Sequence, residues 1–212
     1  MPLKSLSLTH YEYETGDAIG HLAALLSCAP IFLVVAYATL LASRRDLATA
    51  SLFLGQLLNE ALNAALKARF RQPRPAAAPT GDGSSGMPSA HAQFSFFLAS
   101  YAALWALRAW RVGLRWRLLA AAAGAAGAAL VAASRVYLHY HTLEQVLAGG
   151  AVGAGAGAAW FAVVQGALRP RFAAIAAHPL ARWLWVRDCS EVNVLECEYL
   201  AVAGSGRRGK KA

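Results

Sequence analysis

Three short stretches of this 212-residue chain hold side chains that could do chemistry together. The first, KARFRQPRP, places Lys67 seven residues before Arg74 and eight before Pro75. The second is Pro88-Ser89-Ala90-His91. The third is Ser134-Arg135, with His141 six residues after the arginine. Lys67, Arg74 and Arg135 are three cations, and gathered at one place they would repel one another and lose hydration. A phosphate or diphosphate removes that cost, and arginine offers it bidentate donors. Pro88 suits the first turn of a helix. The amides of Ser89, Ala90 and His91 are then expected at a helix start, where an anion is favoured. His91 and His141 complete the set: one can attack phosphorus, and the other can give a proton to the leaving oxygen.

Other polar residues compete for attention. His139 and His141 form an HxH pair, which zinc can use, but no third or fourth ligand accompanies them. No carboxylate cluster of the type magnesium prefers is visible either, so neither a metal nor another cofactor is expected. Arg69 and Arg71 read as contacts to lipid headgroups or solvent. His10, His21 and His178 belong to no constellation. Gln56, Asn59, Glu60, Asn63 and Lys67 recur at offsets of 3, 4, 7 and 11 from the first, which puts them on one helical face. Two readings of that stripe are open. It is either interhelical hydrogen-bonded glue or a wall leading to the phosphate site, with Glu60 tuning Lys67.

The elements that must position these groups are membrane helices. The chain is 58% apolar and only 15% charged, against about 45–50% and about 25% in soluble domains. Disorder is excluded by that apolar content. A disulfide scaffold is excluded by three scattered cysteines, Cys28, Cys189 and Cys197. Five apolar runs, about 18–42, 47–66, 92–110, 117–138 and 146–168, approach the length of about 20 residues that a span needs. None alternates with the period of a strand. The expected fold is therefore an all-α integral membrane bundle of about five transmembrane helices, forming a single domain over 1–212. Residues 1–17 carry acidic side chains, and the run at 18–42 is too long for the apolar part of a secretory leader, so no leader is expected.

The net charge of +9 sits mostly between the apolar runs, which suits membrane topology and not nucleic-acid binding. Fourteen of the 20 Lys and Arg residues fall on the side of the tail and six on the other. The positive-inside rule then places the tail in the cytosol, and the N-terminus and the three chemical stretches outside. Residues 170–187, with Trp183, Trp185, Arg182 and Arg187, read as an interfacial segment; Pro179 opposes one straight helix there. Residues 203–212 read as a solvated basic tail. The loop 76–87 is rich in Gly, Ser and Pro, and is either a lid or slack. Gly153 and Gly157 form a GxxxG step, which either brings two helices close or reflects compositional bias.

The trio of stretches resembles the type 2 phosphatidic acid phosphatase (PAP2) superfamily, whose pattern is K-x6-RP, PSGH and SR-x5-H. The stretches SLSLTHYEYETGD, LNEALNAALK, GMPSAHAQF, SRVYLHYHTLEQVLAGG and RDCSEVNVLECEYL are similar to its dolichyldiphosphatase branch and cover nearly the whole chain. By that resemblance His141 is the nucleophile that forms a phosphohistidine and His91 is the general acid. Arg135, Lys67, Arg74 and Ser89 hold the phosphate, with Ala90 and Ser134 counted beside them as substrate-binding residues. No metal is implied. Ala90 replaces the usual glycine of PSGH, which a helical backbone tolerates. Gln145 stands where the superfamily usually has Asp, so Gln145 or the neighbouring Glu144 is expected to orient the nucleophile.

The implied reaction is metal-independent removal of the terminal phosphate of dolichyl diphosphate at the lumenal face of the endoplasmic reticulum membrane. The dolichyl phosphate formed is recycled for protein N-glycosylation. The rival readings are a phosphatase of another lipid phosphate or polyprenyl diphosphate, and a catalytically silent polyprenyl-phosphate binding protein.

Overall fold

The computed structural model describes residues 3–6, 11–78, 85–110, 112–189, 197, 199–200 and 203. The basic tail from 204 onward, His10, Arg111 and the middle of the 76–87 loop lie outside the described residues.

The chain opens with a feature the apolar pattern did not announce. Strands β1 (Leu3–Leu6) and β2 (Tyr11–Glu14) pair antiparallel, with Leu3 opposite Glu14 and Leu6 opposite Tyr11. The segment Tyr11–Glu14 reads YEYE, and its alternation suits a strand with one covered face. Helix α1 (Ala18–Ser27) follows, capped by the Asp17 carboxylate, which accepts from the Ile19 amide at 3.0 Å.

The first expected span is interrupted. α1 stops at Cys28 and α2 (Ala29–Arg44) begins afresh, with Pro30 in its first turn. Proline has no amide hydrogen to offer the preceding turn and its ring crowds that turn's carbonyl, so a continuous helix cannot run through residue 30. Together Ala18–Arg44 is long and apolar enough to cross a membrane.

Helices α3 (Leu47–Phe70), α4 (Ala90–Arg108), α5 (Leu114–Tyr137) and α6 (Leu143–Val163) match the remaining runs, with shifted ends. α5 qualifies as a span by length and composition, as does the continuous helical stretch Leu143–Ala177 that contains α6. α3 and α4 have 24 and 19 residues, about 36 and 28 Å at the α-helical rise. Their apolarity is diluted by polar residues that face each other. Gln93 Nε2 donates to Asn59 O and Oδ1, both at 2.9 Å, and Asn63 Nδ2 donates to Gln93 Oε1 at 2.8 Å and to Pro88 O at 3.3 Å. The amide stripe of α3 is thus glue for α4, and through Pro88 it also ties down the chain just before α4.

Beyond Val163 the helix widens through a π turn (Val164–Leu168) and tightens to 3-10 geometry (Arg169–Arg171) around Pro170. It then continues as α7 (Phe172–Ala177) and α8 (Pro179–Trp183). Trp183 and Trp185 are largely exposed, as an interfacial segment requires. Residues 184–189 return to the α2–α3 corner. Leu47 N donates to Arg187 O, Arg187 N donates to Arg45 O, and Asp46 both caps α3 and accepts from Cys189 N. The α2–α3 turn and the end of the last helix therefore share one face of the bundle. The hairpin, the α3–α4 connection and the α5–α6 turn share the other.

The closest helix approach is α4 on α6. A Cβ at Gly149, Gly153 or Gly157 would overlap the backbone carbonyl of Ser89, Gln93 or Phe97, respectively. The GxxxG step is thus a contact of backbones, extended by one turn toward Gly149. α6 meets α3 differently: Trp160 packs on Gly55, and its indole donates to Ser51 O at 2.9 Å. Many leucines and valines of α1, α2, α3 and α5 remain exposed, as lipid-facing positions do.

These contacts predict opposite results for two neighbouring substitutions. Gly153→Ala should lower the detergent-solubilised melting temperature by several degrees, because overpacking costs about 1–3 kcal/mol. Gly155→Ala, with open space around its Cα, should leave it within a degree or so of wild type. Scanning fluorimetry of the two variants decides.

Candidate active site

The three stretches meet at the face of the bundle that carries the hairpin. Lys67 lies in the last turn of α3, Arg74 four residues beyond it, Ser89 at the N-cap of α4, Arg135 in the last turn of α5, and His141 in the turn before α6. Antiparallel passage of α3, α4, α5 and α6 puts all of these ends on one side. The charges of Arg74, Arg135 and Lys67 reach His141, and those of Arg135, His141 and Lys67 reach His91.

His141 is buried and oriented by a neighbour whose own orientation is determined. Gln145 Nε2 donates to Gln72 Oε1 at 3.1 Å and to Pro73 O at 2.9 Å. Its Oε1 must then be an acceptor, and it lies 3.1 Å from His141 Nδ1 and 3.3 Å from the Thr142 amide. Nδ1 therefore carries the hydrogen, and Nε2 is left with the lone pair. The same Gln145 closes a capping box with Thr142 at the start of α6. Glu144 is exposed and does not approach His141; one position along a helix is about 100° of rotation, which turns it outward. Of the two expected orienting residues the structure selects Gln145.

The PSAH segment differs in detail from the expectation. α4 begins at Ala90 with Ser89 as N-cap, so Pro88 stands before the cap and not inside the first turn. The Ser89 amide is already spent on the Gln145 carbonyl at 2.9 Å. The helix-start donors are the amides of Ala90, His91 and Ala92. The Ser89 hydroxyl makes no cap bond, is fully buried and has no partner among the described residues.

Arg135 is 2% exposed, and its guanidinium stacks between two rings, 4.0 Å from the Tyr140 centroid and 5.1 Å from that of Tyr11. One terminal nitrogen donates to Ser27 Oγ at 3.0 Å, while Nε is buried without a partner among the described residues. Ser134 Oγ donates to Val131 O at 2.7 Å and lies 3.1 Å from Ser27 Oγ. Its hydroxyl thus bonds its own helix and sits against Ser27 of α1, which in turn accepts from Arg135. Arg74 donates to Tyr140 O at 3.4 Å. His139 points out, exposed, in a left-handed backbone conformation. The stem of the 76–87 loop closes on the site. Gly86 N donates to Gln72 O at 2.7 Å, and a Cβ at Gly86 would strike the Gln145 amide.

Four participants were not singled out by residue type and spacing: Tyr11, Ser27, Gln72 and Tyr140. Ser27 is one hydroxyl in an apolar run, and Tyr11 belongs to the alternating YEYE; both reach the site only through tertiary packing.

The arrangement predicts how the site responds to acid and to substitution. Burial, followed by the charges of Arg74, Arg135 and Lys67, pushes His141 down to about 3 against a partly restoring hydrogen bond from Gln145. In the unfolded chain a histidine protonates near 6.5. The unfolded state therefore binds the extra proton first, and the stability this residue contributes at neutral pH is lost as pH falls from about 6.5 toward 3. His141→Gln should flatten that part of the acid dependence of the melting temperature. Gln145→Glu keeps an acceptor for Nδ1 but turns an acidic group toward Gln72 Oε1 and Pro73 O. It should lower kcat by about one to two orders of magnitude, as loss of an orienting partner does elsewhere, with little change in KM.

Comparison with known proteins accords with this geometry. Residues 48–169 match the PAP2 superfamily model. The chain is 39% identical over 218 residues to Dolichyldiphosphatase 1 of Homo sapiens, covering 98% of this chain and 92% of that protein. It is 37% identical over 204 residues to Lipid phosphate phosphatase gamma of Arabidopsis thaliana, covering 93% and 90%. The crystal structure of a transmembrane PAP2-type phosphatidylglycerolphosphate phosphatase from Bacillus subtilis superposes with a TM-score of 0.59 at 21% identity, over 72% of this chain and 77% of that one, which shows the shared fold. With its three phosphate-handling stretches gathered at one end of a membrane helix bundle, the chain belongs to the PAP2 superfamily, in the group that includes the dolichyldiphosphatases.

Proposed function

We propose that this protein hydrolyses the terminal phosphate of dolichyl diphosphate, releasing phosphate and dolichyl phosphate. The observation that carries the reading is His141. Its hydrogen-bonded Nδ1 leaves the lone pair on Nε2, in a ring that the charges of Arg74, Arg135 and Lys67 reach, which is what a nucleophile for a phosphoric anhydride needs. The dolichyldiphosphatase relatives along nearly the full chain support the choice of lipid.

In the first step His141 Nε2 attacks the terminal phosphorus and a P–N bond forms. The P–O bond to the bridging oxygen breaks, and dolichyl phosphate leaves with that electron pair. Lys67, Arg74, Arg135 and the Ser89 hydroxyl neutralise charge on the transferring oxygens, as cations and preorganised donors do in phosphoryl transfer generally. The leaving group is itself a phosphate and needs little help from an acid, so His91 acts chiefly in the second step. There water attacks the phosphohistidine, His91 Nε2 takes a proton from it, and the P–N bond breaks to give inorganic phosphate and free His141.

The site faces the lumen of the endoplasmic reticulum, and the α2–α3 corner with its arginines faces the cytosol. The excess of positive charge on the tail side supports that orientation. Dolichyl phosphate formed there re-enters the carrier cycle of N-glycosylation.

Purified protein in detergent should release phosphate from dolichyl diphosphate in the presence of EDTA. His141→Ala should abolish turnover in a protein that still inserts and unfolds cooperatively, at a modestly lower melting temperature. Quenching in alkaline detergent during turnover should trap an acid-labile phosphoprotein in the wild type that is missing from the variant. Substantial phosphate release by folded His141→Ala would overturn the nucleophile assignment, and preference for phosphatidate over dolichyl diphosphate would overturn the choice of lipid.

A further inference from the structure

The N-terminal hairpin is a part of the site that the three motif stretches do not account for. β2 carries Tyr11 over the pocket, where its hydroxyl lies 2.8 Å from His91 Nε2. Its ring stands edge-on to His91 and to Tyr140, with centroids 6.0 Å apart in both cases, and takes one face of the Arg135 guanidinium. The next residue fastens the hairpin to the same group: Glu12 N donates to Tyr140 Oη at 3.1 Å. Tyr11 is thus held by its ring and by its backbone neighbour, and its hydroxyl is aimed at one nitrogen.

We propose that Tyr11 is a positioning residue of the active site, whose hydroxyl donates to His91 Nε2 and keeps that nitrogen as the proton acceptor for the hydrolytic step. The inference rests on the reaction proposed above and adds a residue to it. Two observations set the direction of the bond. The backbone carbonyl of Ser27 faces the His91 ring and can only accept, which places the ring hydrogen on Nδ1. Burial raises the Tyr11 hydroxyl above its ordinary value against the opposing charge of Arg135, so it is protonated and able to donate. The neutral Nδ1–H form is the tautomer that can take a proton from water at Nε2. Without the hydroxyl, only the Ser27 carbonyl holds that tautomer, and the other tautomer gains population among the cationic neighbours. During turnover the bond is exchanged and not lost: the water that attacks the phosphohistidine takes over the Nε2 lone pair, and the ring of Tyr11 stays against Arg135 and Tyr140.

The test is Tyr11→Phe, which keeps the ring contacts and removes only the hydroxyl, read in two ways on the full-length protein. In 15N-histidine spectra of the ligand-free wild type, His91 should show a single Nδ1–H tautomer, and Tyr11→Phe should give a mixture. Turnover of dolichyl diphosphate by Tyr11→Phe should show kcat reduced about fivefold, the size of one lost hydrogen bond, with KM within twofold and melting temperature unchanged. More phosphoprotein should be trapped during turnover, because its breakdown is the slowed step. An unchanged His91 tautomer overturns the proposal, whatever the substrate proves to be. So does unchanged or raised kcat, which would make the hydroxyl a bystander or an obstruction. Absence of dolichyl diphosphate turnover by the wild type would instead reject the proposed reaction, and the spectra would still judge Tyr11.

Discussion

A single amide group, that of Gln145, is the point through which the site is assembled. Its two hydrogens go to Gln72 and Pro73, its oxygen receives His141 and Thr142, and its backbone carbonyl receives Ser89. One residue from each of the three chemical stretches, or its immediate neighbour, is thereby tied to the first turn of α6. An amide is suited to this place because it both donates and accepts. A carboxylate could orient His141 but could not hold the chain before Arg74, where two oxygens already wait for hydrogen. The lack of the usual acidic partner beside the nucleophile is therefore a change of scaffold as much as of charge. The imidazole is oriented with no anion beside it among the described residues, and burial, followed by the nearby cations, keeps it neutral.

The same site shows how polar groups are managed near the hydrocarbon. Arg135 is buried without a carboxylate; two aromatic faces and a serine hydroxyl take its place. Such contacts satisfy part of the guanidinium and leave its Nε unspent, as the Ser89 hydroxyl is unspent across the pocket. Buried donors without partners are costly, and they are kept where a ligand completes them. Farther down, Asn59, Asn63 and Gln93 satisfy one another almost entirely. Deeper still, the Gln56 amide and the Ser95 hydroxyl are buried without partners among the described residues, so incompleteness is not confined to the rim.

The sequence disclosed the reactive groups better than their supports. Lys67, Arg74, Ser89, His91, Arg135 and His141 have rare types at telling intervals, and helix ends alternate between faces whatever the loop details, so their convergence was legible. The helix break at Cys28 could have been read from Pro30, but the length and apolarity of the run concealed it. For Ser134 and Glu144, adjacency along the chain says little about direction: one turns toward α1, the other toward solvent. Tyr11, Ser27 and Tyr140 left no trace in any interval, since each enters through packing between segments more than a hundred residues apart or across the hairpin. The hairpin itself is too short, and its second strand too mixed in composition, to compete with five long apolar runs for notice.

The glycine seam along α6 has a further consequence for traffic. With Gly149, Gly153 and Gly157 seated on the carbonyls of Ser89, Gln93 and Phe97, two backbones touch over two full turns. The α3–α6 side is sealed in turn by the indole of Trp160 lying on Gly55. Two lateral flanks of the bundle are thereby closed to traffic by direct packing, α4 on α6 and α6 on α3.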